Sequence, residues 1–325
     1  MSGGLNRLDL RNNRMRYYYH LATNSNSLSS NDIRVLYSDR RNRLWVGTYN
    51  AGLDRYNPLT NTFENYIIDP DHPEIAAQYS ITAIYQDTRG TLWVGTRGYG
   101  LHSLGRLSQS FEHYSLPSLH EDAQIVRVIT EDEGGRLWLG TYHGLYIYDP
   151  LTGQYPAIYN HDPQDPVSLS SDVIMDIHIA SPETAWVATL NGGLNRLDRR
   201  TGKFTDFTVA DGLANNYVYN ILADDLGCLW LSTNRGLSRF NLNDQTFRNF
   251  DVSDGLPGNE FNAGAAYRSP AGEMYFGGVN GMVGFQPERI LDNPYPPPVV
   301  IRAFSRYNQV ERTNLTGGEQ IELSY

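Results

Sequence analysis

Residues 44–48 read Leu44-Trp45-Val46-Gly47-Thr48, and the same five letters return at Leu92-Trp93-Val94-Gly95-Thr96. Leu137-Trp138-Leu139-Gly140-Thr141 is a third copy. Ala185-Trp186-Val187-Ala188-Thr189 and Leu229-Trp230-Leu231-Ser232-Thr233 keep the pattern, and Met274-Tyr275-Phe276-Gly277-Gly278 is a degenerate sixth. All five tryptophans occupy this one position, at spacings of 48, 45, 48 and 44 residues. A period near 45 residues is that of a propeller blade or a solenoid unit.

Working outward from the Trp, each unit reads as four short strands. The first is β-branched and apolar: Ile33–Tyr37, Ile81–Tyr85, Ile125–Ile129, Val173–Ile177 and Val218–Leu222. Six residues before the Trp stands Asp39, Asp87, Asp132 or Asp224, and three before the aromatic stands Gly90, Gly135, Gly227 or Gly272. That spacing predicts a tight turn, with Asp bonding its own backbone and Gly taking positive φ. The second strand carries the Trp. The third opens on Gly-Leu, as at Gly52-Leu53, Gly100-Leu101, Gly144-Leu145, Gly193-Leu194 and Gly236-Leu237, with Gly281-Met282 last. The fourth is aromatic: Phe63–Tyr66, Phe111–Tyr114, Tyr155–Tyr159, Phe204–Phe207 and Phe247–Phe250. No segment sustains a 3.6-residue period, so few helices are expected. Four strands in 45 residues make the fold class all-β, a β-propeller of four-stranded blades. The tryptophans are expected to pack between neighbouring blades.

The ends are less regular. A seventh Gly-Leu strand, Gly4–Asp9, precedes the first complete unit, followed by the aromatic run Arg16–Tyr19. Two arrangements fit. In one, residues 3–20 are a partial blade of a seven-bladed parent; in the other, six blades close when Tyr17–Tyr19 pairs with the last unit. The seven-bladed parent is the preferred expectation, with the propeller spanning 1–292. Beyond it, Asn293–Pro298 reads as a stiff extended linker. Val299–Phe304 and Gln320–Tyr325 read as strands flanking a turn-rich stretch, Asn308–Gly318. Residues 293–325 are thus expected to begin a second, truncated domain.

Composition removes several function classes. Twenty-six basic and 36 acidic side chains give a net charge of −10, against general nucleic-acid binding. No 18-residue apolar run is present, nor a basic-then-apolar leader. A single cysteine, Cys228, excludes an intrachain disulfide and a cysteine-rich zinc site. No Gly-x-Ser-x-Gly elbow, His-Glu-x-x-His pair or phosphate-cradling Gly loop occurs. Asp69–Pro73 and Asp162–Pro166 lack the spacing of a calcium loop. No catalytic residue, metal or cofactor is expected.

The unit Asp-x-x-Gly-x-Leu-Trp-x-Gly-Thr followed by Gly-Leu resembles the two-component regulator propeller repeat. Asp254–Asn262 and Asn280–Phe285 are similar to that family's last blade, and Pro297–Phe304 resembles the opening of its triple-tyrosine (Y_Y_Y) domain, an immunoglobulin-like sandwich. The resemblance implies the extracytoplasmic, periplasmic sensor region of a bacterial transmembrane signalling protein, with a histidine kinase or diguanylate cyclase output outside this chain. It also implies a non-enzymatic role, a homodimer, a membrane helix downstream, and an oligosaccharide or other small polar ligand. Units four and six depart from the pattern, with Ala180 and Glu183 in the turn and Tyr275 for Trp.

Strand order places two sets of connections on one face of such a fold. The loops between second and third strands carry Tyr49, Asn50, Arg97, Tyr99, Tyr142, His143, Asn191, Asn234, Arg235 and Asn280. The crossings between blades end at Asn31, Tyr79, Gln124, Asp172, Asn216 and Glu260. Variable loops on a repeated frame are where such folds acquire binding. Aromatic rings with amides and charges suit a polyhydroxylated ligand. Apart from Tyr79 and Gln124, these residues form the candidate ligand-binding set, alongside the plainer reading of solvated loop side chains. Arginine supplies 25 of the 26 basic residues; this permits bidentate oxyanion binding at Arg97 and Arg235, although codon usage is the better explanation of the bias. Two alternatives stay open. One is a lyase resembling the streptogramin-inactivating propellers, recruiting Tyr142, His143 and Glu260. The other is a protein-docking propeller.

Overall fold

The computed structural model describes residues 3–68, 79–106, 108, 110–290, 303–306 and 309–313. β1 (Leu5–Asp9) and β2 (Arg14–Tyr18) form a hairpin. Five four-stranded antiparallel sheets follow. The first holds β3 (Ile33–Ser38), β4 (Leu44–Thr48), β5 (Leu53–Asn57) and β6 (Thr62–Tyr66). The second holds β7 (Ile81–Gln86), β8 (Leu92–Thr96), β9 (Leu101–Leu104) and β10 (Glu112–Tyr114). The third holds β11 (Val126–Glu131), β12 (Leu137–Thr141), β13 (Gly144–Asp149) and β14 (Gln154–Tyr159). The fourth holds β15 (Ile174–Ile179), β16 (Thr184–Thr189), β17 (Leu194–Asp198) and β18 (Lys203–Phe207). The fifth holds β19 (Val218–Ala223), β20 (Cys228–Thr233), β21 (Gly236–Asn241) and β22 (Phe247–Phe250). The sixth shows three strands among the described residues: β23 (Phe261–Arg268), β24 (Met274–Gly278) and β25 (Gly281–Phe285).

Every sheet runs in chain order as a meander, and the first strands pack in succession, β3 on β7, β7 on β11, β11 on β15, β15 on β19 and β19 on β23. This is a six-bladed propeller of antiparallel blades. Helix is confined to four short 3-10 turns among the described residues. The β1–β2 hairpin packs on the first blade, where Leu5 and Tyr18 share a core with Leu28, Val46 and Phe63. Among the described residues β2 pairs with β1 alone, so closure by pairing Tyr17–Tyr19 with the last unit is not the arrangement found. The compact unit containing the propeller ends at Pro287, and a second begins at Glu288. There β26 (Ala303–Arg306) pairs with β27 (Gln309–Thr313), so part of the expected turn-rich stretch 308–318 is strand. The linker 293–298, the strand at 320–325 and the stretch 69–73 lie outside the described residues.

The repeat has a clear physical basis. In four blades the Asp uses both carboxylate oxygens. Oδ1 of Asp39 accepts the backbone N–H groups of Arg41 and Arg43, while Oδ2 accepts the indole N–H of Trp45 at 3.0 Å. The same indole bond joins Trp93 to Asp87 (2.9 Å), Trp138 to Asp132 (3.2 Å) and Trp230 to Asp224 (2.9 Å). A buried indole can thus satisfy its N–H while its rings pack on the next blade. Trp93 meets Tyr148, Trp186 meets Phe240, and Trp230 meets Phe285, at centroid distances of 5.9, 5.4 and 4.7 Å. In the first three blades the Gly two residues after the Trp lies in close contact with the next blade. A Cβ on Gly140 would stand 2.5 Å from Val128 Cγ1 and 2.6 Å from Ile174 Cγ2. The Thr that follows closes the loop: the hydroxyls of Thr48, Thr96, Thr141, Thr189 and Thr233 each donate to the carbonyl of the Gly that opens the third strand, all at 2.9 Å.

Candidate functional site

The two sets of connections share one face because they are stitched together. The N–H of the third-strand Gly donates to the carbonyl of the residue that ends the neighbouring crossing. These bonds run from Gly52 to Tyr79, Gly100 to Gln124, Gly144 to Asp172 and Gly193 to Asn216, at 2.7 to 3.4 Å. Gly236 donates to Asn259 at 2.7 Å, and Gly4 of the hairpin donates to Asn31 at 3.0 Å. Asn259 therefore holds the place in the sixth unit that corresponds to Asn216, and Glu260 is one residue beyond it. The signal was readable: Asp211-Gly212-Leu213-Ala214-Asn215-Asn216 aligns with Asp254-Gly255-Leu256-Pro257-Gly258-Asn259.

The side chains at this crossing position are largely occupied by the frame. The side-chain oxygens of Asn31, Asp172, Asn216 and Asn259 accept the backbone N–H of His20, His161, Val209 and Val252 at 2.7 to 3.1 Å. The first two belong to one motif that the sequence reading missed, His20…Ser27-Leu28-Ser29-Ser30-Asn31 and His161…Ser168-Leu169-Ser170-Ser171-Asp172. In each, the imidazole Nδ1 lies 2.7 Å from the Leu carbonyl.

Among the loop residues, Asn50 and Asn191 take positive φ (56° and 72°) where the second unit has Gly98, a conformation Asn tolerates. Both are exposed, as are Arg97, Asn234, Arg235 and Asn280. Tyr99 stands edge-on to Tyr79 at 4.5 Å. His143 packs at a tilt of 43° against His120, with centroids 4.0 Å apart, and its Nδ1 lies 3.9 Å from Asp172 Oδ2. A carboxylate is therefore within reach of His143, one geometric need of the lyase alternative. Among the described residues, no group of three His, Cys, Asp or Glu side chains is placed to hold a metal ion.

The structure adds residues from the innermost strands. Each of these strands carries a register shift near its start, between Ile33 and Val35, Ile81 and Ala83, Val126 and Val128, Ile174 and Asp176, and Val218 and Asn220. A bulge leaves one residue unpaired and re-aims its side chain. In the first and third blades that residue is an arginine. Arg34 lies over the Tyr49 ring at 4.6 Å and 3.4 Å from Asp32 Oδ2. Arg127 keeps its Nε buried without a partner among the described residues. Desolvation holds its guanidinium below the ordinary value, and the charges of Arg34 and Arg97 act the same way, against Tyr142 and Asp176. Arg97 joins this group through its bridge to Ile125, just before β11. Desolvation also pushes the Asp176 carboxyl up to about 6, although it accepts N–H bonds from Ile221 (2.7 Å) and Ile177 (2.8 Å). The polar residues inside otherwise apolar strands, Arg34, Arg127 and Asp176, were the readable trace of this group. The candidate site is thus the axial rim built by Arg34, Arg97, Arg127, Tyr49 and Tyr142, with Asp32 and Asp176 as acidic neighbours.

Residues 27–50, 76–98 and 212–235 match the model of the family described as two component regulator propeller. The chain is 27% identical over 208 residues to Histidine kinase P4 of Formosa agariphila, covering 61% of this chain and 14% of that protein. It is 29% identical, with a TM-score of 0.77, to the extracellular domain of the putative hybrid two component system BT3049 from B. thetaiotaomicron, covering 97% of this chain and 40% of that one. The virginiamycin B lyase from Staphylococcus aureus shares the fold at 14% identity and a TM-score of 0.61, covering 87% of each chain. The chain thus spans well under half of the sensor proteins it matches. Three segments of this propeller thus match the two-component regulator propeller model.

Proposed function

We propose that this chain is the ligand-sensing propeller of an extracytoplasmic sensor region that signals through a histidine kinase or diguanylate cyclase. The carrying observation is the likeness, over 97% of the chain, to the extracellular domain of a hybrid two component system. Its role is binding rather than catalysis, and the periplasm is the compartment. The unit that begins at Glu288 continues into a triple-tyrosine sandwich, then a membrane helix and the output domain, and the receptor works as a homodimer.

The ligand is a small polar molecule, an oligosaccharide in the first instance, bound at the axial rim. Tyr49 and Tyr142 offer ring faces to its C–H surfaces, and Arg34, Arg97 and Arg127 offer donors to its oxygens. Of the loop residues, Tyr49, Arg97 and Tyr142 belong to this rim. Asn31, Asp172 and Asn216 support it as stitches between blades. Titration calorimetry against a panel of neutral and acidic oligosaccharides tests the reading. Saturable binding of one of them, lost in Arg97→Ala, is expected; silence across the panel would overturn the carbohydrate assignment.

A further inference from the structure

A second feature lies on the opposite face, among the turns that join first to second strands and third to fourth strands. Between the first two blades these turns enclose a cleft of about 480 Å³. Arg40, Arg41, Arg43, Arg55, Arg89 and Arg106 line it, and no Asp or Glu is among its lining residues. Six of the 25 arginines of a chain with net charge −10 therefore converge on one opening.

Three of the six are held in place from behind. Arg43 Nε bonds Asp39 Oδ2 at 2.6 Å, Arg89 Nε lies 3.7 Å from Asp87 Oδ2, and Arg55 pairs with Glu64. Arg43 and Arg55 also lie over the Trp45 ring at 5.7 and 5.6 Å, and Arg55 over Tyr66 at 5.5 Å. Arg40, Arg41 and Arg106 have no ion pair among the described residues, and all three are exposed. Glu131 also stands behind the cleft, accepting the backbone N–H and hydroxyl of the lining residue Thr88, so six guanidinium groups face four carboxylates, an excess of two positive charges. The corresponding cleft between the third and fourth blades is different. It is lined by Asp132, Arg136 and Arg199, and Arg199 is spent on Asp132 (2.9 Å) and Glu133 (3.0 Å). The charge excess is therefore a property of the first cleft and not of the repeat.

Like charges held together in a cleft repel one another and focus a positive field on it. Guanidinium groups braced on carboxylates and rings keep their remaining N–H donors in fixed directions, the geometry that planar or tetrahedral oxyanions accept. A volume near 480 Å³ is within the range of small-molecule sites. We propose that this cleft binds a ligand carrying two or more oxyanion groups. The proposal is independent of the axial rim: a silent oligosaccharide panel there leaves it standing, and its own failure leaves the rim untouched.

Titration calorimetry on the whole chain, with pyrophosphate, a digalacturonate and a sulfated disaccharide as three separate probes, tests the site and separates phosphate, carboxylate and sulfate as its chemistry. At least one probe should bind saturably with one site. Its affinity should fall at least tenfold in an Arg41→Ser, Arg106→Ser double variant and stay unchanged in Arg97→Ala. If the double variant loses stability, Arg106→Glu alone must meet the same tenfold criterion. The site is refuted if none of the three probes saturates, if the groove variants bind as the parent does, or if Arg97→Ala abolishes binding.

Discussion

Trp45 donates its indole N–H to Oδ2 of Asp39, 3.0 Å away, while the other oxygen of that carboxylate ties down the turn between β3 and β4. One side chain thus joins the hairpin turn to the residue that fills the interface with the next blade. Asp39→Ala removes an acceptor from a buried indole N–H, from two backbone N–H groups and from Arg43. Leaving buried donors without partners costs about 2–4 kcal/mol. Chemical denaturation should find that loss. Asp39→Asn, which keeps one oxygen for the turn, should cost less than Asp39→Ala. Equal losses for the two would show that the acceptor geometry is unimportant.

Acid should expose the same bond. Burial by itself raises the Asp39 carboxyl, but bonds from Trp45, from the backbone of Arg43 and Arg41, and from the Arg43 side chain outweigh it and hold the group below its ordinary value. A carboxyl depressed in the folded state adds stability above its unfolded value, near pH 4, and loses it as pH falls further. Asp176 acts with the opposite sign. Its carboxyl is raised to about 6, so the folded state holds the proton longer than the unfolded chain does. Stability from this group falls as pH rises from about 4 to about 6, by about 3 kcal/mol at most. Urea midpoints measured across this range should show a downward slope that Asp176→Asn flattens. An unchanged slope in the variant would remove Asp176 as its source.

Gly47 offers a purely steric test. A Cβ there would stand 2.5 Å from Val35 Cγ1 and 2.7 Å from Ile81 Cγ2, the second of these in the neighbouring blade. Gly47→Ala should therefore destabilise by about 1–3 kcal/mol, the range for overpacking a filled core. A variant as stable as the parent would mean that the first two blades are less tightly docked than described. The fourth and fifth blades carry Ala188 and Ser232 at this position, so the constraint is set by the local neighbours, such as Val35 and Ile81 here and Val128 and Ile174 at Gly140, rather than by the fold.

What could be read beforehand follows from the periodicity. The Trp position, the turn Asp and the Gly-Leu start recur once per blade, so one unit explains all the others, and strand bounds shifted by only a residue or two. The double use of the Asp was not readable, because a turn role already accounted for it. The rim was harder. Arg34 and Arg127 sit in β-branched runs that register as core strands, and only the bulge turns them toward the axis. The crossing residues misled in the other direction. Asn31, Asp172 and Asn216 have the chemistry of ligand residues, yet they hold backbone N–H groups of their own chain.

That contrast separates two kinds of variant on one face. Asn31→Ala removes the acceptor for His20 N–H and should lower stability by about 1 kcal/mol, the ordinary worth of such a bond. Affinity for a ligand at the rim should change little. Arg97→Ala, at an exposed side chain, should leave the melting temperature within a degree or two and lose the ligand. Calorimetry and thermal melts on the pair should show this crossed pattern. If Asn31→Ala instead abolishes binding with its stability intact, the crossing residues contact the ligand after all.

The lyase alternative can be tested on the same preparation. His143 lies 3.9 Å from Asp172, but Asp172 Oδ1 is already bonded to His161 N–H at 2.7 Å. General acid–base work needs a group free to exchange a proton with the substrate. The chain incubated with quinupristin and a divalent cation should return the substrate at unchanged mass and retention time. Turnover that is lost in His143→Ala would overturn the sensor reading in favour of catalysis. Turnover that survives in that variant would point to a contaminating enzyme.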